Sequence, residues 1–202
     1  MYSSQPSFVL GFHGCDQAAA ENVLDSNLNL RKSENSYDWL GHGIYFWEND
    51  PDRALLFAEE NCQRTTSNVT DPAVIGAVID LGCCLNLLEA NALEIVKAGY
   101  QDLKNLTKRA GIEMPENRTA NGSDDLIFRH LDCAVLETVH QSRQVAGERS
   151  FDSVRGVFWE GDNLYPNAGF KEKNHIQICI RNPNCIKGFF RVRDLDEGHP
   201  LP

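Results

Sequence analysis

The sequence predicts an α+β protein, with helices grouped around an antiparallel or mixed sheet. Short runs of apolar, aromatic and β-branched residues occur toward both ends of the chain, whereas helical spacing of apolar residues dominates the middle. The predicted order is therefore strand, helix, strand, helix, then a helical middle, then further strands. With 202 residues, 42% of them hydrophobic, the chain can build one domain around a real core.

The first part of the chain alternates between the two kinds of element. Residues 8–12 form an apolar run that predicts a buried strand, and Asp16 is placed to cap a helix over residues 18–24. Residues 43–47 predict a second strand. Asp50 and the proline after it then open a second helix, because proline suits the first helical position.

The second part begins with a β-rich run at residues 73–81, which predicts a central strand. Two helical stretches follow, with a break near Gly99, and a long helix is predicted to start at Ser123. We expect one domain over residues 1–202 with a helical insertion at about 84–145. The closing strands are predicted at 154–159, 175–181 and 186–190, with a loop at 162–173 between the first two.

Composition limits the classes of partner. Lysine plus arginine is 19 and aspartate plus glutamate is 29, so the formal charge is 19 − 29 = −10. An acidic chain is a poor non-specific binder of nucleic acid, although a local basic patch can still serve. The N-terminus has no basic region, and no stretch nears the roughly 20 apolar residues that span a bilayer.

The cysteines indicate a reducing compartment. There are seven, an odd number, and they include no CxxC pair, whereas secreted disulfide frameworks favour even counts. Cysteine and histidine are also not paired closely enough for a structural zinc site. We therefore expect a cytoplasmic protein with no membrane segment and no metal.

Two short motifs carry the chemistry. The triplet Phe12-His13-Gly14 ends the first strand, where a glycine lets the backbone approach a flat ligand and a histidine can bond a ribose hydroxyl. About thirty residues later comes Gly-His-Gly-Ile-Tyr-Phe, from Gly41, in which Tyr45 must face away from its two neighbours. Alone, the second motif fits a core strand. Joined to the first at this separation, it resembles the nicotinamide pocket of a known enzyme family.

These motifs resemble the catalytic domain of poly(ADP-ribose) polymerase-type ADP-ribosyltransferases, which carry His-Gly followed by Gly-x-Gly-Ile-Tyr-Phe. The similarity is strong over residues 12–58 and moderate over 154–190, and the helical middle matches nothing in it. The resemblance implies a split antiparallel or mixed β-sheet with flanking helices, and NAD as the cofactor that serves as substrate.

The resemblance also assigns roles to individual residues. It implies that His13 holds the adenosine-side ribose, that the backbone of Gly14 holds the carboxamide, and that Tyr45 stacks on the nicotinamide. Gly43 belongs to the same pocket, and Phe57 is the candidate for a second aromatic across the ring. Where the family has a serine that bonds the carboxamide, this chain has Arg53 followed by alanine.

The third motif departs from the family. The family strand starts Asn-Glu, whereas the matching segment here starts Asn174-His175, with no glutamate at that place. Alternation puts His175 and Gln177 on one strand face and the isoleucines between them on the other, the core face. Gln177 is slightly preferred as the third catalytic residue, since it is a neutral near-isostere of glutamate. His175 aligns more directly and could act as a base.

The sequence allows other interpretations of the third catalytic position. Both strand residues can instead line a solvated sheet face. Glu172, just before the strand, and Glu160, after Phe158-Trp159, are further carboxylates, although surface solvation is the expected role of each.

The expected activity is transfer of a single ADP-ribose from NAD to an acceptor, with release of nicotinamide. Chain elongation is not expected without the glutamate. The alternative is a catalytically inactive module that binds NAD or ADP-ribose. A phosphotransferase of the tRNA-repair type, for which only His13 and Arg181 are available, ranks third. The acceptor is a macromolecule of unidentified type, protein or nucleic acid, and a toxin-like or defence role is compatible with a compact transferase.

Overall fold

A computed structural model describes residues 8–26, 28–120 and 124–193. Its helices are Gln17–Ser26 (α1), Pro51–Cys62 (α2), Ala90–Ala110 (α3) and His130–Val145 (α4). Its strands are Phe8–Asp16 (β1), Ile44–Glu48 (β2), Pro72–Asp80 (β3), Cys84–Asn86 (β4), Asn117–Arg118 (β5), Phe128–Arg129 (β6), Ser153–Asn163 (β7), Lys171–Ile180 (β8) and Ile186–Arg191 (β9).

Seven of the strands form one mixed sheet in the order β4-β7-β8-β2-β1-β3-β9, and β5 and β6 pair separately. Every neighbouring pair in the large sheet is antiparallel except β4 and β7, which are parallel. Four helices pack around this sheet in the described part of the chain, so the predicted α+β class is confirmed.

One face of the sheet, called here the α1 face, packs against helix α1. Ile178 and Ile180 of β8 lie on it, fully buried beside Ile44 and Phe46 of β2. The prediction that the isoleucine side of β8 is the core side is therefore confirmed. Ala20 and Val23 of α1 cover the same cluster.

The opposite face, called here the α2–α4 face, carries the other three helices in two patches. Helix α2 covers β1 and β2 through Ala54, which packs on Phe12 and Trp47. Helices α3 and α4 cover β7 and β8 through a cluster that includes Leu136 and Phe158. Between the two patches the strand residues that point to this face are largely polar, and the candidate site lies there.

The middle of the chain differs from its prediction in three ways. β4 lies inside the predicted helical insertion and pairs with β7, so this segment contributes to the sheet. Helix α3 runs unbroken through Gly99. A Cβ there would lie 2.3 Å from Val139 Cγ2, so this glycine allows close packing on α4 and does not end a helix. Helix α4 begins at His130, and its predicted start at Ser123 lies outside the described residues.

The predicted loop over 162–173 is shorter in the structure, since β7 extends to Asn163 and β8 begins at Lys171. Across the described ranges, no helix is long and apolar enough to cross a membrane, and no three metal-ligating side chains come together. Residues 1–7, on which the expectation about the N-terminus rests, lie outside the described part.

Candidate functional site

The sheet opens between β1 and β2. These strands pair only at Gly11 with Glu48 and at Phe12 with Trp47, after which they separate. The backbone N–H of Asn49 donates to the carbonyl of Leu10 at 3.0 Å, so alternate residues of β1 from Leu10 onward direct their main-chain groups toward β2. Gly14 is one of them. Its N–H and C=O therefore point into the split, beyond the last paired position.

His13 occupies the start of this split. Its Nδ1 lies 2.7 Å from the carbonyl oxygen of Tyr45, the group that a continued ladder would pair with Gly14. Burial lowers the pKa of His13, against the opposing effect of this hydrogen bond, so the ring is neutral near pH 7. A neutral ring that donates from Nδ1 has an unprotonated Nε2, which can accept a hydrogen bond from a hydroxyl.

Tyr45 faces the α2–α4 side, and its hydroxyl closes a tight turn. The hydroxyl donates to the carbonyl of Gly41 at 2.6 Å and accepts from the N–H of Leu40 at 2.8 Å. Burial raises the pKa of Tyr45 well above its ordinary value, so the phenol stays protonated. The ring is only partly buried, and its predicted stacking on nicotinamide stays a prediction.

Gly43 anchors the start of β2. Its N–H and C=O pair with the backbone of Ser33, at 3.0 and 2.8 Å. A Cβ at this position would lie 2.5 Å from Cys179 Sγ, so only glycine lets β2 approach β8 this closely. The structure thus gives Gly43 a positioning role, and its direct contact with a cofactor stays a prediction.

An ion pair between Glu137 of α4 and Arg181 stabilises the turn that precedes β2. Glu137 accepts the N–H of His42 at 2.8 Å and both terminal nitrogens of Arg181, which also donates to the carbonyl of His42. Arg181, proposed from the sequence for a phosphotransferase site, is therefore committed to holding the Gly41–Gly43 turn.

Four polar side chains meet on the α2–α4 face, and we call them the Arg53 cluster: Arg53, Glu160, His175 and Gln177. Arg53 Nη2 donates to Glu160 Oε2 at 3.0 Å, and His175 Nε2 lies 3.8 Å from the same oxygen. His175 Nδ1 bonds the carbonyl of Lys173 at 2.8 Å, and Gln177 Nε2 bonds His175 Nε2 at 3.1 Å.

The cluster is buried. His175 and Gln177 share a face as predicted, but the residues are only 6% and 8% exposed, which rules out a solvated sheet face. Burial lowers the pKa of His175, although the bond to the Lys173 carbonyl opposes this, so its ring is neutral at pH 7. The neutral tautomer donates from Nδ1 and accepts the Gln177 amide at Nε2.

Arg53 reaches the cluster from the first turn of helix α2. Asp50 caps the helix through a 2.9 Å bond to the N–H of Arg53, as its position in the sequence predicted. Arg53 is 8% exposed, yet its Nε and Nη1 find no acceptor among the described residues, and neither does Nε1 of the neighbouring Trp47. Burying such donors unpaired costs about 1–3 kcal/mol each, so these groups indicate that an acceptor belongs here.

The split and the cluster adjoin each other through α2. A Cβ built on Gly14 would lie 1.9 Å from the carbonyl oxygen of Ala54, the residue after Arg53. Glycine is therefore required for α2 to sit on β1. His13 itself has its Cβ on the α1 face, with its ring 5.9 Å from that of Phe46, and no described contact joins it to the Arg53 cluster.

The aromatic residues flank the cluster. Phe57 has its ring 4.8 Å from that of Trp47, and its predicted place across a nicotinamide from Tyr45 stays a prediction. On the other flank, Trp39 and Phe158 approach His175 and line a cavity of about 380 Å³ under α3 and α4. Arg129 covers both of these rings, at 4.1 and 4.8 Å from their centroids.

Sequence reasoning considered Glu160 only as a further carboxylate and did not single out Trp47 as a site residue. Glu160 was expected at the surface but is 8% exposed and paired with Arg53. Trp47 lies two residues after Tyr45 in β2, so alternation alone could have placed it on the same face. Glu172, the other carboxylate considered, is exposed as expected.

Comparison with known proteins names no activity. The chain is similar to the uncharacterized protein MJ0359 of Methanocaldococcus jannaschii, with 25% identity over 192 residues, covering 87% of this chain and 83% of that protein. No family model matches the chain, and no solved structure matches it. The function is therefore inferred from the geometry of the site.

Proposed function

We propose that this chain is an NAD-dependent mono-ADP-ribosyltransferase with a split sheet of the ADP-ribosyltransferase type. The observation that carries the proposal is the split between β1 and β2, into which Gly14 directs an N–H and a C=O beside the neutral ring of His13. A carboxamide needs one acceptor and one donor in one plane, and the main chain of one strand residue offers both.

The layout suits a dinucleotide. Nε2 of His13 can accept a ribose hydroxyl on one side of the split, and Gly14 can hold the carboxamide within it. The reacting ribose would then lie toward the Arg53 cluster, since Ala54 places α2 directly on Gly14. The protein's contribution would be orientation and electrostatic stabilisation as nicotinamide departs and positive charge develops on the ribose.

Transfer of a single ADP-ribose fits the site better than chain growth. β8 has His175 and Gln177 where the family strand has its glutamate, and these two side chains are hydrogen-bonded to each other. The acceptor is proposed to be a macromolecule, protein or nucleic acid. We place the reaction in the cytoplasm, in keeping with seven free thiols, and a toxin-like role would suit it.

A second candidate is a module that binds NAD or ADP-ribose without catalysis. The observation that favours it is the burial of His175 and Gln177, the two residues that the sequence proposed for catalysis. Both candidates require ligand binding at the split, and only the first requires breakage of the glycosidic bond.

The test combines binding and turnover. NAD is expected to raise the melting temperature of the wild-type chain, and nicotinamide is expected to appear on incubation. His13→Gln should weaken binding about tenfold, since one good hydrogen bond contributes on the order of 1 kcal/mol. His130→Gln is the matched control, because His130 lies at the start of α4, outside the split. Binding without nicotinamide release would favour the second candidate, and absence of binding would contradict both.

A further inference from the structure

We propose that Glu160 is the catalytic carboxylate of this site, supplied by β7 in place of a glutamate on β8. This inference rests on the proposed function and deepens it. It assigns to Glu160 the role of facing the ribose carbon from which nicotinamide departs. The sequence offers this residue only as a further carboxylate after Phe158-Trp159, with surface solvation as its expected role.

The register of the sheet puts Glu160 on the required face. Phe158 pairs with His175 across β7 and β8, and Glu160 pairs with Lys173, one alternation step further along. Glu160 therefore points to the same face as His175 and Gln177, beside the position where β8 lacks a carboxylate. Its Oε2 comes within 3.8 Å of His175 Nε2.

Glu160 is also more available to a ligand than His175. The His175 side chain is 0% exposed, and both of its ring nitrogens are occupied by Lys173 and Gln177. The Glu160 side chain keeps 11% exposure, and only one of its two oxygens is hydrogen-bonded within the described part of the chain. The second oxygen, Oε1, has no hydrogen bond to any described residue and can meet a substrate.

Arg53 acts as the positioning residue. It donates to Oε2 of Glu160 at 3.0 Å and so restrains the carboxylate, while Oε1 takes no part in this hydrogen bond. Nε and Nη1 of Arg53 and Nε1 of the neighbouring Trp47 have no partner among the described residues and would donate to oxygen atoms of the bound substrate. Once its remaining donors are engaged, Arg53 holds Glu160 less tightly, and more of the carboxylate charge faces the ribose.

The chemical step balances without any further reagent. The bond between the ribose C1′ and the pyridinium nitrogen breaks, and its electron pair goes to that nitrogen, so nicotinamide leaves neutral. The positive charge that develops on the ribose is offset by Glu160, which also accepts a hydrogen bond from a ribose hydroxyl. The acceptor, water in the simplest case, forms the new bond to C1′ and loses its proton to solvent.

The test compares two isosteric variants of the full chain. Glu160→Gln keeps an oxygen for Arg53 but removes the charge, and nicotinamide release is expected to fall on the order of 100-fold or more. NAD affinity should change less than about threefold, because the lost charge acts mainly in the transition state. Glu172→Gln, an exposed carboxylate on the neighbouring strand, should keep activity within about twofold of wild type.

A second variant separates loss of the carboxylate from loss of the fold. In Glu160→Ala, added formate is expected to restore part of the lost nicotinamide release, because it can replace the missing carboxylate beside Arg53. Full activity of Glu160→Gln, or inactivity of Glu160→Ala that formate does not relieve while the variant still binds NAD, would overturn the proposal for Glu160 alone. Absence of nicotinamide release from the wild-type chain would contradict the transferase function itself, and the proposal with it.

Discussion

Replacing Glu160 with methionine removes the only acceptor that Arg53 has among the described side chains. Arg53 is 8% exposed and already leaves Nε and Nη1 unpaired, so the variant would bury a guanidinium with no counter-charge. Breaking a buried pair in this way costs about 3–5 kcal/mol. For a chain of this size, that loss should lower the melting temperature by roughly 6–20 °C.

Replacing the other partner, Arg53, is expected to lower the free energy of unfolding by a smaller amount. Arg53→Met removes the two unpaired donors, and the carboxylate that remains has an 11% exposed side chain that water can solvate. We expect a loss of about 2 kcal/mol. The double variant, with methionine at both positions, should lie within about 1 kcal/mol of wild type or above it, because apolar replacement of a buried pair is often neutral or stabilising.

Urea denaturation of the three variants, followed by circular dichroism, measures these differences. The predicted order of stability is wild type or the double variant first, then Arg53→Met, then Glu160→Met. A Glu160→Met variant within about 1 kcal/mol of wild type would refute the burial argument. A double variant as unstable as Glu160→Met would show that the cost comes from packing and not from the unpaired charge.

Two further predictions concern stability. Gly43→Ala places a Cβ 2.5 Å from Cys179 Sγ and should lower the free energy of unfolding, measured in urea, by about 1–3 kcal/mol. The control is Gly188→Ala, whose Cβ meets nothing within 4 Å and which should change stability by less than about 1 kcal/mol. Equal effects of the two substitutions would contradict this packing. Burial, reinforced by Arg181, lowers the pKa of His140 to about 4, so its neutral form stabilises the fold above about pH 6.5, and that contribution is lost as pH falls toward 4. About 2 kcal/mol should be lost at pH 5 relative to pH 7, and His140→Leu should remove this part of the acid sensitivity; an unchanged pH dependence in the variant would contradict it.

Strand alternation explains what the sequence could predict about the site. The period of two places His175 and Gln177 on one face of β8 and Ile178 on the other, and the structure has them so. The N-cap at Asp50 could also be predicted, because aspartate is favoured at the N-cap of a helix and proline at its first position.

The burial of Glu160, which was expected at the surface, depends on the register between distant strands. Glu160 belongs to the site because β7 pairs with β8 at Phe158 and His175, and nothing local in the sequence encodes that pairing. The same holds for Gly99, where the predicted break was wrong because a packing contact with α4 decides the need for glycine. Before α4, the carbonyl of Ile127 accepts the indole N–H of Trp39 at 2.8 Å, a long-range contact within a segment that the apolar spacing predicted to be helical.

We propose that NAD binds in the split, through the main chain of Gly14. The most direct measurement follows backbone amide resonances by NMR during a titration with NAD. We predict that the Gly14 amide shifts and saturates with the same dissociation constant as the ring signals of His13, while the amide of Gly188, on the edge strand β9, stays unchanged. A Gly14 amide that does not move at saturating NAD, or shifts confined to residues lining the cavity under α3 and α4, would contradict the account.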